Sequence, residues 1–401
     1  MTIYKYIGRT AKGILKKGTV DAVSERHAIL KLRDQGINPR EVTESQSILH
    51  KEISIGSPVK QQDFVMYCRQ FSTLIQAGIS IVEATSILAN QTESQGLRQA
   101  LEKVMEDIKE GNSFSATIAQ QPKVFPVLFS NMIKAGEATG NLDETLERLA
   151  MYFEKQYTIK KKIQSVLAYP IIILAITMVV VIFMMTVILP RFTAMFEQLG
   201  AELPSLTVVI LSLGNVIQGY WWLLLIILVA VVISFRVLHQ KSHIFRDAVA
   251  TVLLKTPVFG KVLQKVLIAR MTRTLSSLFS SSVPILQALV IVEKVVDHPL
   301  MGKVLQKAKT SLESGNRLSE PFEESWLFPP LVAQMTAIGE KTGSLDSMLA
   351  NIADFYEAEV DRTVDTLKSL IEPLMIVFLA VVVGTIVLAV MMPLLSIYTQ
   401  I

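Results

Sequence analysis

Three stretches without charge constrain this 401-residue chain more than any other feature. No charged residue stands between Lys162 and Arg191. Within that stretch, Leu167 to Leu189 reads LAYPIIILAITMVVVIFMMTVIL, 23 residues or about 35 Å of helix against a hydrocarbon core of about 30 Å. A second uncharged run lies between Glu202 and Arg236, densest from Tyr220 to Phe235, and a third follows Glu372 to the C-terminus. Core helices of soluble proteins rarely exceed about 18 consecutive apolar residues, so the three runs predict three membrane-spanning helices. The composition agrees, with 51% apolar and 18% charged residues where a soluble domain carries about a quarter charged.

Basic residues near the span ends set the expected orientation. Lys155, Lys160, Lys161 and Lys162 precede the first run, and Arg236, Lys241 and Arg246 follow the second. The loop between them has only Arg191, set against Glu197 and Glu202. The first two spans then form a hairpin with its short loop outside and the bulky segments in the cytoplasm. The third leaves the C-terminus external. The first fifty residues hold no apolar core of signal-peptide length, so the N-terminus is expected to remain cytoplasmic.

The chain also repeats itself. RQFSTLIQAGISIVEA (Arg69 to Ala84) aligns with RTLSSLFSSSVPILQA (Arg273 to Ala288) at an offset of 204, and AGEATGNLDETLERLAMYFE (Ala135 to Glu154) with IGEKTGSLDSMLANIADFYE (Ile338 to Glu357) at 203. The second offset continues into the membrane. Pro170 matches Pro373, and Leu189-Pro190 matches Met392-Pro393. Each copy is therefore a helical domain feeding one span, and the middle span is an insert that returns the chain to the cytoplasm.

Within the copies, Phe71, Leu74, Ile75 and Gly78 fall on one helical stripe. Leu142, Leu146, Leu149 and Tyr152/Phe153 fall on another. Residues before Ser54 differ. YKYIGRT-AKGILKKGTVDA reads as a hairpin turning at Ala11-Lys12-Gly13, SERHAILKLRDQG as a helix bounded by Ser24 and Gly36, and INPREVTE as a strand, a small βααβ or ββαβ module.

The expected fold class is thus a mainly α membrane protein with two homologous cytoplasmic helical-bundle domains, three transmembrane helices and a small N-terminal α/β module. The expected limits are 1–55 for the module and linker, 56–166 and 237–371 for the helical domains, 167–190, 207–236 and 372–396 for the spans, and 191–206 for the external loop.

The shared motif GE-x-TG-x-LD has a local physical account. Gly140 and Gly343 suit the left-handed position that ends a helix. Asn141 and Ser344 are N-cap candidates for the next helix, with Glu144 completing a box in the first copy. Asp143 and Asp346 stand in the first turn, where the helix dipole favours acid. Gly136 and Gly339 open the motif. A tight αα corner explains most of it, and a ligand site is the other reading.

No route to catalysis emerges. Gly260-Lys261-Val262 lacks the rest of a phosphate-binding loop, so ATP would be hydrolysed elsewhere. His27, His50, His239, His243 and His298 are scattered, and the spans contain no carboxylate. Glu372 stands at the inner edge of the third span with Lys368 one turn back as an expected partner. Cys68, the sole cysteine, excludes an intramolecular disulfide and reads as a buried inert thiol. A net charge of +4 is too small to argue for nucleic acid.

The duplicated GE-x-TG-x-LD, the segment Lys162 to Pro170 (KIQSVLAYP) and a span closing on Leu189-Pro190 resemble the type II secretion system F-protein family, the platform proteins of type II secretion and type IV pilus assembly. The resemblance covers nearly the whole chain. It implies a multi-pass bacterial inner-membrane scaffold that is not an enzyme, serving a secretion, pilus or DNA-uptake (competence) machine. Its implied partners are a cytoplasmic hexameric assembly ATPase, pilin or pseudopilin transmembrane helices, other inner-membrane assembly subunits, lipid and further copies of itself. It also implies a divalent cation such as calcium in the first cytoplasmic domain, which would fall to Glu83, Glu137 and Asn141, the last a weak ligand for a hard cation. An oligomeric transporter or channel component is the alternative function, for which only Thr177, Thr186, Asn215, Gln218 and Thr385 offer polar groups in the spans.

Overall fold

The computed structural model describes residues 2–10, 15–22, 29, 31–33, 36–44, 58–199, 205–257 and 259–400, and divides into two units, Met1–Ser57 and Pro58–Ile401. In the first unit, strands β1 (Thr2–Thr10), β2 (Leu15–Ala22) and β3 (Ile37–Glu44) form one antiparallel sheet in the order β2-β1-β3. The register pairs Tyr6 with both Gly18 and Val42. A bulge at Ile7/Gly8 lets β3 pass so close that a Cβ on Gly8 would stand 2.7 Å from Ile37 Cγ2. Helical residues 31–33 end at Gly36 (φ 70°), so of the two expected topologies the strands follow ββαβ. The turn Ala11-Lys12-Gly13, Ser24 and most of the linker lie outside the described residues.

The second unit is helical. Its first copy comprises α1 (Gln61–Gln76), α2 (Ile81–Gln91), α3 (Gln95–Lys109), α4 (Phe114–Ala119) and α5 (Val127–Thr139), followed by the long α6 (Leu142–Phe183). A π segment, Met184–Ile188, joins α6 to α7 (Leu189–Leu199). The middle apolar run forms α8 (Ser205–Lys241), longer at both ends than the span expected from sequence. After α9 (His243–Lys255) the second copy follows as α10 (Phe259–Ser280), α11 (Ile285–Val296), α12 (Pro299–Glu313), α13 (Glu320–Glu323) and α14 (Pro330–Thr342), and α15 (Leu345–Gln400) carries it to the end.

Local chemistry sets these boundaries. Ser80 and Ser113 cap α2 and α4 by accepting from the amides of Glu83 and Ala116. α1 ends at Gly78 (φ 83°), whose turn lets the Ile79 amide reach back to Leu74 O at 3.1 Å. At the same place in the second copy Ser282 holds φ 59°, and the Val283 amide repeats the bond to Leu278 O at 3.0 Å.

An aromatic cluster fills the first copy's core. Phe64 of α1 meets Phe129 of α5 at 5.5 Å and Phe153 of α6 edge-on at 5.0 Å. Cys68 is fully buried there, and burial pushes its thiol well up, so the sole cysteine is unreactive. The second copy's core is mostly aliphatic, with Phe322 and Phe328 4.7 Å apart and Tyr356 also buried. The two cores merge into one contiguous cluster. A smaller patch extends the contact toward the membrane, where Ile159 packs with Val262, Val360, Val364 and Leu367.

α6 is 42 residues and α15 is 56, about 63 Å and 84 Å, so each is long enough to span a bilayer of about 30 Å and still reach deep into its own bundle. Both pass the length and hydropathy requirements of a membrane span, over Leu142–Met195 and Leu345–Met392. Pro170 is absorbed within α6, whereas Pro190 follows the π segment. There the Leu189 amide reaches back five residues to Met184 O, a geometry suited to a proline that cannot donate to the turn before it.

Candidate functional site

The motif shared by the two copies builds the corner between α5 and α6, and again between α14 and α15. Gly140 (φ 76°) and Gly343 (φ 70°) end the first helix of each pair in the left-handed conformation. Gly136 and Gly339 let the helices touch. A Cβ on Gly136 would stand 2.6 Å from Thr145 Oγ1, and one on Gly339 2.9 Å from the Leu345 Cα.

The acid of the motif is a two-pronged cap. Glu137 Oε1 accepts from the Phe114 amide at 2.8 Å and Oε2 from the Ser115 amide at 3.1 Å, anchoring the start of α4. Glu340 repeats this on the amides of Leu318 and Ser319, the latter at 3.2 Å, immediately before α13. The donors differ by the repeat's own offset, so this fork belongs to the duplication. Sequence reasoning did not assign that role to Glu137.

Some local expectations are corrected. Asn141 stands at the N-cap of α6, but its side chain makes no capping bond, and Glu144 pairs with Arg148 one turn on instead of closing a box. Ser344 bonds the Thr342 hydroxyl at 2.6 Å. Lys368 and Glu372 are both exposed and form no ion pair among the described residues.

Of the three residues the resemblance offers for a cation, Glu83 lies in the first turn of α2, and Asn141 gives its backbone carbonyl to the Thr145 amide and hydroxyl. Glu137 is held by two amides. Among the described residues no three His, Cys, Asp or Glu side chains form a metal-holding group. With both Glu137 oxygens taken by amides and only a neutral amide side chain on Asn141, this donor set does not fit a resident hard cation.

A second repeated feature fastens each bundle to its membrane helix. Arg69 of α1 forks onto Glu154 of α6, with Nε donating to Oε1 at 2.6 Å and Nη2 to Oε2. Arg273 of α10 does the same to Glu357 of α15 at 2.9 and 3.0 Å and also reaches Asp354. The hydrogen bond from Arg69 holds the Glu154 carboxyl below its ordinary range. Both pairs sit at the ends of the aligned blocks, a signal that was present in the sequence but not singled out.

The copies are then joined to each other. Lys155 of α6 reaches Glu357 at 3.5 Å, and Lys162 bridges to Asp361 and Asp365 at 3.2 and 3.1 Å. The buried hydroxyls of Tyr152 and Thr274 lie 3.1 Å apart. Two helices that enter the membrane are thus bound side by side just below it, each clamped to its own bundle. Each of these helices is thereby fixed both to its own bundle and to the other copy.

A duplicated helical bundle with each copy running directly into a membrane helix defines a membrane scaffold. Residues 67–190 and 271–393 each match the family described as Type II secretion system (T2SS), protein F, and residues 1–43 match that protein's N-terminal domain. The chain is 36% identical to the Type IV pilus assembly protein PilC of Thermus thermophilus over 401 residues, 99% of this chain and 98% of that protein. It is 33% identical to the protein of the same name from Pseudomonas aeruginosa, covering 90% and 96%. Against the Type II secretion system protein F of Vibrio cholerae it is 31% identical, covering 99% and 98%. The chain belongs to the type II secretion system protein F family.

Proposed function

We propose that this chain is the inner-membrane platform of a type IV pilus or type II secretion machine, coupling a cytoplasmic hexameric assembly ATPase to the insertion of pilin or pseudopilin subunits into a fibre. The observation that carries this reading is the continuity of α6 and α15 from bundle core to span, each clamped by the repeated Arg–Glu fork. A push or turn applied to the bundles by the ATPase passes into the spans without a flexible joint. The spans then engage the transmembrane helices of incoming subunits. In this reading the chain itself catalyses nothing, both bundles and the N-terminus face the cytoplasm, the C-terminus is external, and several copies act together with other inner-membrane subunits. The excess of Lys and Arg before the first span and after the second supports that orientation.

Insertion of three glycines between Gln164 and Ser165 tests it by interrupting α6 below the membrane. The expected result is normal membrane insertion, retained capture of the ATPase and loss of fibre assembly. Fibres assembled at the normal rate would overturn the coupling role.

A further inference from the structure

The helix α9 has no place in the duplication. At the repeat's offset of 204 its counterpart would begin at Pro39, inside strand β3. It follows α8 after the single residue Ser242, and the two axes are bent by 110°, close to perpendicular. If α8 crosses the bilayer, α9 lies roughly in the membrane plane. The apolar run of α8 ends at Phe235, and the bend comes about 10 Å further along the helix, at headgroup depth.

Which face of α9 looks toward the membrane is settled by one contact. Phe245 packs against Phe235 of α8 with ring centroids 5.6 Å apart, so the side of α9 that carries Phe245 faces the span. Counting about 100° per residue from Phe245, Val252 lies about 20° and Ala248 about 60° away, while Leu254 lies about 180° away. The exposures divide along the same line. Val252 is 66% exposed and Ala248 is exposed, whereas Ala250 and Leu254 are buried, and Ile244, 84% exposed, stands about 100° from Phe245 at the edge of that face. The buried side is fastened to the second bundle, where Asp247 pairs with Lys303 of α12 at 2.6 Å.

An apolar stripe turned toward the membrane, on a helix held from behind, has the lipid surface as its occupant. Charge adds to this. Lys241 and Lys255, at the two ends of the turn and helix, are exposed and have no ion-pair partner among the described residues, which suits anionic headgroups. We infer that α9 is an in-plane membrane-surface helix whose Ile244–Ala248–Val252 stripe inserts at the boundary between headgroups and acyl chains. The inference rests on α8 crossing the bilayer, and not on any partner of the machine.

The test places an environment-sensitive fluorophore on single cysteines in the full-length protein in phosphatidylcholine vesicles with and without phosphatidylglycerol. Native Cys68 is buried, and unmodified protein serves as the blank. Val252→Cys carries the probe, Ala248→Cys repeats it one turn away, Leu228→Cys marks the span and Met66→Cys marks the first bundle. Spin-labelled lipids should quench the probes at 252, 248 and 228 at least about twofold and leave that at 66 unchanged. Phosphatidylglycerol should deepen the quenching at 252. Quenching at 228 with none at 252 or 248 would overturn the in-plane helix. Absence of quenching at 228 would instead remove the spanning reading, and the inference with it.

Discussion

Lys155 of the first copy and Glu357 of the second face each other at 3.5 Å, and Glu357, only 3% exposed, is also the acid gripped by Arg273. One carboxylate therefore both clamps the second bundle to its membrane helix and ties the two copies together. Its counterpart, Glu154, serves only its own copy and is far more exposed. The duplication has been put to unequal use.

Glu357→Gln should accordingly be much more damaging than Glu154→Gln. Removing the buried acid takes the fork from Arg273, which keeps Asp354, and leaves the half-exposed Lys155 without a counter-charge, a loss of about 1–3 kcal/mol. Exposed pairs such as Arg69–Glu154 are worth less than about 1 kcal/mol. Thermal unfolding of the two purified variants in detergent measures the difference, and equal losses would contradict the asymmetry.

The forks made by Glu137 and Glu340 predict a matched pair of effects. Glutamine keeps one acceptor and turns its amide nitrogen toward the other backbone donor, so each Glu→Gln change should cost about 1–3 kcal/mol. Because Glu137 acts as a cap, calcium and chelator should both leave the wild-type melting temperature unchanged. A calcium-dependent rise abolished by Glu137→Gln would return Glu83, Glu137 and Asn141 to the role of cation ligands.

Ser282 occupies the left-handed position that Gly78 fills in the first copy. A side chain there costs roughly 1–2 kcal/mol, and a Cβ-free residue removes that cost. Ser282→Gly should raise stability by about 1 kcal/mol, less whatever glycine adds to the freedom of the unfolded chain. Gly78→Ser should lower it. Chemical denaturation of both variants checks the opposite signs.

The Glu154 carboxyl titrates below its ordinary value of 4.5 when folded, because Arg69 hydrogen-bonds the charged form. Its stabilisation is present above the unfolded value and is lost as the pH falls through the folded one. Arg69→Met should therefore lower the neutral plateau slightly and leave stability well below about pH 4.5 unchanged, which flattens the acid limb of the profile. The partial exposure of both partners keeps the effect small.

Much of this architecture was legible because long apolar runs and exact offsets are one-dimensional signals. Leu167 to Leu189 announces a span wherever it occurs, and Gly140 and Gly343 announce their turns. The contact between the copies was not legible. Self-comparison reveals that two segments are alike, and nothing in the spacing of Ile159 says that it will meet Val262 and Val360. The capping box failed because Glu144 had a nearer partner in Arg148, four residues along the same helix face. The limits of α8 were obscured because Asn215, Gln218 and Gly219 dilute its apolar signal without breaking the helix.

The π segment at Met184–Ile188 has a consequence for how the two aligned spans can be recognised. It takes one extra residue into a turn, so residues beyond it are rotated by about 100° relative to an uninterrupted helix. The aligned stretch before Pro393 stays α-helical, and no residue has been inserted in the sequence to compensate. Pro190 and Pro393 are therefore equivalent in alignment yet out of phase around their axes. A partner helix that docks on one outer segment would find a different surface on the other, so twin ancestry below the membrane gives way to two distinct handholds at its far side.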